Sequence, residues 1–154
     1  IIQMTWPGAP TVYYGDEAGV CGFTDPDNRR TYPWGHEDKE LIDFHKAAIK
    51  MHKENEVLRT GSYKQLYSAH NVIAYGRFTS DDAVIVVVNN EEDEIRVNIP
   101  AWETGLAMDD DVEQIMVTFE GGYSTDRQGY RLKDGILNIG LRKTSATVLR
   151  RLRW

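Results

Sequence analysis

The sequence predicts a mainly β protein in which an antiparallel β-sandwich of the Greek-key type occupies residues 57–154. Two observations support this fold class. After residue 57, short runs of β-branched and aromatic residues alternate with turn residues, a pattern typical of an antiparallel sandwich. Before residue 57, the pattern changes to one candidate strand, a long loop and one amphipathic helix. We therefore divide the chain into residues 1–56 and residues 57–154.

The first segment contains three predicted elements. Residues 11–14 (Thr-Val-Tyr-Tyr) predict a short strand, because β-branched and aromatic side chains favour extended backbone. Residues 16–36 are interrupted by glycine and proline and predict a long ordered loop, a type of segment that is often functional. Residues 38–54 predict a helix with Asp38 as its N-cap and apolar residues three and four positions apart. One strand and one helix cannot enclose a core, so this segment is expected to need partners outside this chain, whereas the sandwich could fold alone.

The second segment contains about eight predicted strands, each bounded by turn residues. Residues 83–88 are apolar on both faces, which predicts a central strand covered on both sides. Asp134-Gly135 predicts a tight hairpin that joins strands over residues 130–133 and 136–141. Residues 101–112 predict an acidic loop.

Composition excludes several classes of partner and site. The chain has 154 residues and a net charge of −6, which argues against nucleic acid, because that affinity depends on cations. No apolar run approaches the roughly 18 residues of a membrane span, so we expect no membrane partner. The single cysteine, Cys21, excludes an internal disulfide and a multi-cysteine zinc site. Together with the lack of a signal peptide, it favours a cytoplasmic protein. The chain begins with Ile1 rather than Met, which is compatible with a cut end.

Several motifs in the first segment resemble the α-amylase superfamily of glycoside hydrolases. Residues 8–19 (Gly-Ala-Pro-Thr-Val-Tyr-Tyr-Gly-Asp-Glu-Ala-Gly) resemble the last strand of the catalytic barrel of that family. The loop after that strand, the final barrel helix and the entry to the C-terminal β domain have similar counterparts in residues 25–34, 41–49 and 57–61. Within that superfamily, these motifs most resemble those of the neopullulanase and cyclomaltodextrinase branch. The resemblance covers residues 3–61, whereas the sandwich matches in layout only.

The resemblance implies that residues 1–56 are the last βα unit of an incomplete (β/α)8 barrel. It also implies a parent enzyme that cleaves α-glucan oligosaccharides with retention of configuration. That chemistry uses a nucleophile and an acid/base carboxylate about 5 Å apart. The family carries these groups, and a third carboxylate, on the fourth, fifth and seventh barrel strands, and none of those motifs occurs here. We therefore assign no catalytic residue and expect the chain alone to be inactive.

The candidate substrate contacts in the intact enzyme are Asp25, Arg29, Arg30 and Trp34. Sugars present hydroxyl groups to charged side chains and an apolar face to aromatic rings, and this loop offers carboxylate, guanidinium and indole groups. The alternative is a scaffolding role, in which Asp25 or Asp27 pairs with Arg29 to hold the loop while Trp34 packs against the barrel.

The residues predict no metal site and no cofactor. Asp25 and Asp27 match the start of an EF-hand, but Arg29, Arg30 and His36 occupy positions that need other residues. The histidines lack metal-binding spacing, and no glycine-rich phosphate loop occurs. The neighbouring acids Asp16 and Glu17 would point to opposite faces of a strand, so we interpret them as residues that hold the loop by hydrogen bonds.

Two further functions remain open. One is a non-enzymatic carbohydrate-binding module, since the predicted sandwich carries aromatic residues, which are Tyr63, Tyr67, Tyr75, Trp102, Tyr123, Tyr130 and Trp154. The other is a structural domain that caps a barrel and mediates homodimerisation. A capping or dimerising domain of this kind predicts that residues 1–56 expose an apolar surface.

Overall fold

The computed structural model describes residues 1–152, so the aromatic residue Trp154 considered above lies outside the described residues. The helices of this part of the chain are α1 (Ile2–Thr5), α2 (Lys39–Glu54) and α3 (Glu56–Thr60). Its strands are β1 (Ser62–Ala69), β2 (Val72–Phe78), β3 (Ala83–Asn89), β4 (Ile95–Pro100), β5 (Asp111–Phe119), β6 (Gly122–Ser124), β7 (Gln128–Arg131), β8 (Ile136–Leu141) and β9 (Ser145–Arg151). Short 3-10 helices occur at Asp16–Ala18 and Ala101–Thr104. None of the helices in residues 1–152 is long and apolar enough to cross a membrane.

The strands form two antiparallel sheets. The large sheet has seven strands, six of them in the order β1-β2-β3-β9-β5-β6, and β7 pairs with β5. The small sheet consists of β4 and β8. The prediction of a mainly β, antiparallel fold is confirmed.

Two apolar cores share the large sheet, one on each of its faces. The first lies between the two sheets and includes Ile85 and Val87 of β3 together with Ile99 and Leu137 of the small sheet. The second lies on the opposite face and includes Val86, the intervening residue of β3. Side chains alternate between the faces of a strand, so β3 supplies both cores. The prediction that residues 83–88 form a central strand covered on both sides is therefore confirmed.

The helices belong to the second core. Met4 of α1, Met51 of α2 and Leu58 of α3 pack with Val86 and Met116 of the large sheet. Within the described residues, the buried apolar side chains of α1 and α2 therefore share a core with the sandwich. The expectation that this segment needs partners outside the chain stays a prediction, because the core described here lies within the chain.

Helix α2 follows its prediction closely. The Asp38 carboxylate accepts a hydrogen bond from the Leu41 amide at 2.9 Å, which satisfies one of the free donors at the helix start. The helix ends at Asn55, whose side-chain amide donates to the Met51 carbonyl at 2.7 Å. The predicted helix over residues 38–54 is thus confirmed, with Asp38 as its cap.

The prediction of a strand over residues 11–14 is wrong. These residues pair with no strand in the described part of the chain. A barrel strand is held by hydrogen bonds to parallel neighbours, and both sheets described here are antiparallel and formed by residues 62–151. Local β propensity without a neighbouring strand is not enough to form a sheet.

The predicted hairpin at residues 134–135 forms only as a turn. Asp134 and Gly135 both have positive φ, 51° and 75°, as a tight hairpin turn requires. The Lys133 amide donates to the Ile136 carbonyl at 3.0 Å, and the Ile136 amide donates back at 2.9 Å. Beyond the turn the strands separate, because β7 pairs with β5 and β8 pairs with β4.

The acidic loop predicted over residues 101–112 is partly ordered. Residues Ala101–Thr104 form a 3-10 helix, and Asp111 already belongs to β5. The Asp110 carboxylate accepts from the Ala107 amide at 2.9 Å and pairs with Arg151 at 3.0 Å. The run of acids is therefore tied to the sheet and does not form a purely solvated loop.

A buried arginine joins the helices to the large sheet. Arg77 of β2 is only 1% exposed. Its Nη1 donates to the carbonyls of Thr5 and Leu58, both at 2.9 Å. Its Nη2 donates to the Gly61 carbonyl at 2.8 Å, and its Nε lies 3.4 Å from the Ser62 carbonyl. One side chain therefore connects the ends of α1 and α3 and the start of β1 to β2.

The neighbouring Tyr75 extends this connection. Its hydroxyl lies 2.6 Å from the Thr5 hydroxyl, and its ring contacts Trp6 and Tyr63 with centroids 5.3 and 5.6 Å away. Burial raises the pKa of Tyr75 to about 12, although the hydrogen bond with Thr5 acts in the opposite direction. The phenol is thus held in its neutral form in the folded chain.

Replacing Arg77 by alanine should strongly destabilise the fold. Arg77→Ala leaves buried carbonyl groups without donors, so the free energy of unfolding should fall by about 3 kcal/mol. Urea unfolding monitored by circular dichroism measures the difference. The matched control Arg59→Ala removes an exposed arginine of α3 and should cost less than about 0.5 kcal/mol. Equal losses for the two variants would contradict the role assigned to Arg77.

Replacing Tyr75 by phenylalanine should change how stability depends on pH. A tyrosine in the unfolded chain ionises near pH 10, whereas the folded chain keeps the pKa of Tyr75 at about 12. Below pH 10 the tyrosine is neutral in both states, so the folded chain keeps its full stability. As the pH rises towards 12, the tyrosine ionises in the unfolded chain first, and the free energy of unfolding falls by about 2 kcal/mol. Urea unfolding at pH 8, 10 and 11 should show a steeper decline for the wild type than for Tyr75→Phe. If the free energy of unfolding fell equally with pH in both proteins, the raised pKa of Tyr75 would be refuted.

Candidate functional site

The candidate substrate contacts lie on a loop, residues 19–37, whose two ends meet. Asp16–Ala18 forms a 3-10 turn just before it, and Gly15, with φ of 90°, permits the change of direction. The Asp38 amide donates to the Ala18 carbonyl at 3.1 Å, so the start of α2 closes the loop. The loop is therefore anchored at the cap of the predicted helix.

Glu17 holds the entrance of this loop. Its carboxylate accepts a hydrogen bond from the Gly15 amide at 3.0 Å. The Val20 amide donates to the Gly15 carbonyl at 2.9 Å, which closes the same turn. This geometry corresponds to the hydrogen-bonding role predicted for the pair Asp16 and Glu17. Asp16 itself is exposed and contributes its backbone carbonyl, which accepts from the Gly19 amide at 3.3 Å.

Two ion pairs organise the centre of the loop. Arg29 Nε lies 3.3 Å from Asp25 Oδ1. Arg30 contacts Asp27 Oδ1 through Nη2 at 2.7 Å and Nε at 3.1 Å. All four side chains are largely exposed, so these pairs orient the side chains more than they stabilise the fold. Three of the four predicted substrate contacts thus lie close together.

Asp27 is a central residue that the predicted set left out. The pKa of its carboxyl group is lowered, first by the hydrogen bond from the Arg30 side chain and then by the Phe23 amide, which lies 3.3 Å away. The scaffolding alternative considered Asp27 only as a partner of Arg29, whereas here it pairs with Arg30. The spacing of two acids before two arginines indicated ion pairs but left the choice of partners open.

Aromatic side chains border the ion pairs. Trp34 is 79% exposed, and its ring centroid lies 4.6 Å from that of Tyr32. Phe23, which sequence reasoning did not select as a contact, is 90% exposed. The Tyr14 hydroxyl donates to the Arg30 carbonyl at 2.9 Å and holds the loop from its other side. In the described chain, Trp34 is therefore an exposed ring that contacts Tyr32 on the same loop as the paired charges.

The loop chemistry suits binding better than proton transfer. Glu37 accepts from the Gly35 amide at 3.0 Å, and backbone hydrogen bonds lower the pKa of its carboxyl group. A general acid for glycoside hydrolysis needs a raised pKa, and the shifts resolved at Asp27 and Glu37 go the other way. Among residues 1–152, no group of three His, Cys, Asp or Glu side chains could hold a metal ion.

Known proteins similar in sequence are α-glucan hydrolases. An amylopullulanase from Thermoanaerobacter thermohydrosulfuricus is 40% identical over 135 residues, which cover 79% of this chain and 9% of that enzyme. A cyclomaltodextrinase from Thermoanaerobacter pseudethanolicus is 41% identical over 92 residues, covering 58% and 16% of the two chains. Neopullulanase 2 from Thermoactinomyces vulgaris is 34% identical over 109 residues, covering 68% and 19%. The chain thus spans less than a fifth of the length of each of these curated relatives.

Solved structures of α-amylase-type enzymes have the same fold. The α-amylase from Geobacillus thermoleovorans, crystallised with acarbose, superposes with a TM-score of 0.82 at 24% identity, over 99% of this chain and 32% of that enzyme. The debranching enzyme from Nostoc punctiforme superposes with a TM-score of 0.73 at 25% identity, over 96% and 29% of the two chains. No family model matches the chain. By sequence and by fold, the chain matches the C-terminal part of an enzyme of the α-amylase superfamily.

Proposed function

We propose that this chain supplies the last loop and helix of a catalytic barrel, together with the C-terminal β domain, of a retaining α-glucan glycosidase. The observation that carries the proposal is its similarity, over most of its length, to amylopullulanase and other α-glucan hydrolases. In this proposal residues 1–56 belong to the barrel and residues 57–154 form the β domain. The parent enzyme binds an α-glucan oligosaccharide.

The surface of the first segment supports this assignment. Large apolar side chains are exposed there in unusual number, namely Ile2, Trp6, Tyr13, Tyr14, Phe23 and Trp34. Apolar surfaces of this kind usually meet another molecule or another part of the same protein. We infer that the rest of the barrel covers part of this surface. A homodimer formed through the same surface is the alternative.

We further propose that the chain by itself does not hydrolyse glycosidic bonds. A retaining enzyme needs two free carboxyl groups on either side of the bond. In the loop and the turn before it, Asp25 and Asp27 pair with arginines, while Glu17 and Glu37 accept hydrogen bonds from backbone amides. These acids are occupied in holding the loop, which favours a binding or supporting role.

In the intact enzyme, Asp25, Arg29, Arg30 and Trp34 are proposed to contact the glucan. The paired carboxylates and guanidinium groups keep exposed edges that can bond to sugar hydroxyls. The exposed face of Trp34 can stack on a pyranose ring. The ion pairs of the scaffolding alternative are compatible with this role, since they also orient the groups that bind.

The purified chain should release no reducing sugar from maltoheptaose or pullulan above the rate in buffer. The reason is that it lacks the pair of carboxyl groups that a retaining mechanism requires. A reducing-sugar assay over several hours, with an active α-amylase as the positive control, measures this. Turnover clearly above the buffer rate, retained through a second independent purification step, would overturn the proposal of inactivity.

Replacing Trp34 in the full enzyme should weaken substrate binding. Trp34→Ala should raise KM for maltooligosaccharides about tenfold, because a stacking ring is lost from an exposed position. The melting temperature should change little, since Trp34 is 79% exposed. Trp34→Phe, the matched variant, keeps an aromatic face and should retain most of the affinity. A large loss of stability with unchanged KM would instead favour the scaffolding role.

A further inference from the structure

The outer face of the small sheet carries an ordered polar surface. The inner face of β4 and β8 is buried against the large sheet through Val97, Ile99, Leu137 and Ile139. The residues between them along each strand are exposed, and they are Arg96, Asn98, Asn138 and Gly140. Because the inner face is packed against the core, the strands are held rigidly and the outer face keeps a fixed shape.

Three side chains on this face form a hydrogen-bonded row, which we call the polar ladder: Arg96, Asn98 and Asn138. Asn98 and Asn138 lie directly opposite each other in the two strands. Arg96 Nη1 donates to Asn138 Oδ1 at 2.7 Å, and Asn138 Nδ2 donates to Asn98 Oδ1 at 2.7 Å. Each side chain is thus held in place before any ligand binds, which lowers the entropy cost of binding.

A glycine lets the guanidinium group lie across the sheet. Gly140 is the partner of Arg96 in the register, and Arg96 Nη2 lies only 3.4 Å from the position that a Cβ atom at residue 140 would occupy. Arg96 forms no ion pair with a carboxylate in residues 1–152. Its remaining N–H groups are therefore available to hydroxyl groups of a ligand.

An exposed indole lies at the end of the same sheet. Trp102 follows β4 by two residues, and its amide donates to the Gly135 carbonyl, next to the start of β8, at 3.0 Å. The Trp102 Cβ lies 2.7 Å from the position that a Cβ atom at residue 135 would occupy, so the side chain packs closely on this glycine. It nevertheless remains 47% exposed. The indole is thus fixed in place while keeping an open surface.

We propose that the polar ladder and Trp102 form a binding strip for an α-glucan chain. The amide and guanidinium groups donate to and accept from sugar hydroxyls, and the indole stacks on the apolar face of a glucose ring. The strands that carry the strip are about 20 Å long, enough for several sugar rings. The choice of an α-linked glucan rests on the function proposed above, whereas the existence of a sugar-binding strip rests on this geometry.

Nuclear magnetic resonance of the isotopically labelled chain tests the strip. Titration with maltoheptaose should shift the side-chain N–H signals of Arg96, Asn98 and Asn138 and the indole N–H signal of Trp102. Asn138→Ala breaks both hydrogen bonds of the ladder and should weaken binding about tenfold. Asn90→Ala, which removes an exposed asparagine from the turn after β3, is the matched control and should leave the affinity unchanged.

Further measurements distinguish this binding strip from other sites and other ligands. Trp34→Ala should not affect the shifts at the strip, because Trp34 belongs to the loop. If maltoheptaose shifts only loop signals and Trp34→Ala abolishes them, the strip is overturned while the proposed function stands. Absence of any shift up to about 10 mM maltoheptaose also overturns it, as does displacement of the sugar by sulfate, which would indicate an anion site. If cellohexaose binds as well as maltoheptaose, a sugar strip is supported and its preference for α-glucan is refuted.

Discussion

The positions of α1 and α3 on the large sheet depend on the buried guanidinium group of Arg77. It has no carboxylate partner among residues 1–152, and burial lowers its pKa. Removing a cation from water is costly unless its donors are satisfied, and here backbone carbonyls accept them. Those carbonyls belong to α1 and, more than fifty residues later in the chain, to α3 and the turn between α3 and β1. A single cation therefore sets how the N-terminal residues lie on the sandwich.

The large sheet then serves two layers at once. β3 directs Ile85 towards the small sheet and Val86 towards the helices, so the helical layer and the small sheet depend on the same strand. The helices bury one face in this way, and their connection to the loop at Asp38 determines where the loop emerges. The large exposed aromatic residues of the first segment lie mainly on this loop and on the residues before it. The sandwich thus supports an exposed apolar surface, which is where we propose that the remainder of a barrel makes contact.

In both proposed sugar-binding surfaces, a polar side chain orients an arginine. In the loop, Asp25 pairs with Arg29 and fixes its direction, and on the small sheet Asn138 does the same for Arg96. Polar side chains that are already oriented by each other bind a hydroxyl-rich ligand with less loss of entropy. In the loop, the same pairing commits the acids to structural contacts, which favours binding over catalysis.

Local patterns in the sequence were enough to predict helix α2 with its Asp38 cap, the central strand β3 and the mainly β fold, because caps and periodicity act within a few residues. The motifs of the loop also indicated the enzyme family. Only the tertiary structure decided that residues 11–14 form no strand, that β7 and β8 join different sheets, and that Asp27 pairs with Arg30. Each of these depends on which distant backbone or side chain supplies the hydrogen-bond partner. That choice is made by the packing of the whole chain, as the burial of Arg77 also shows.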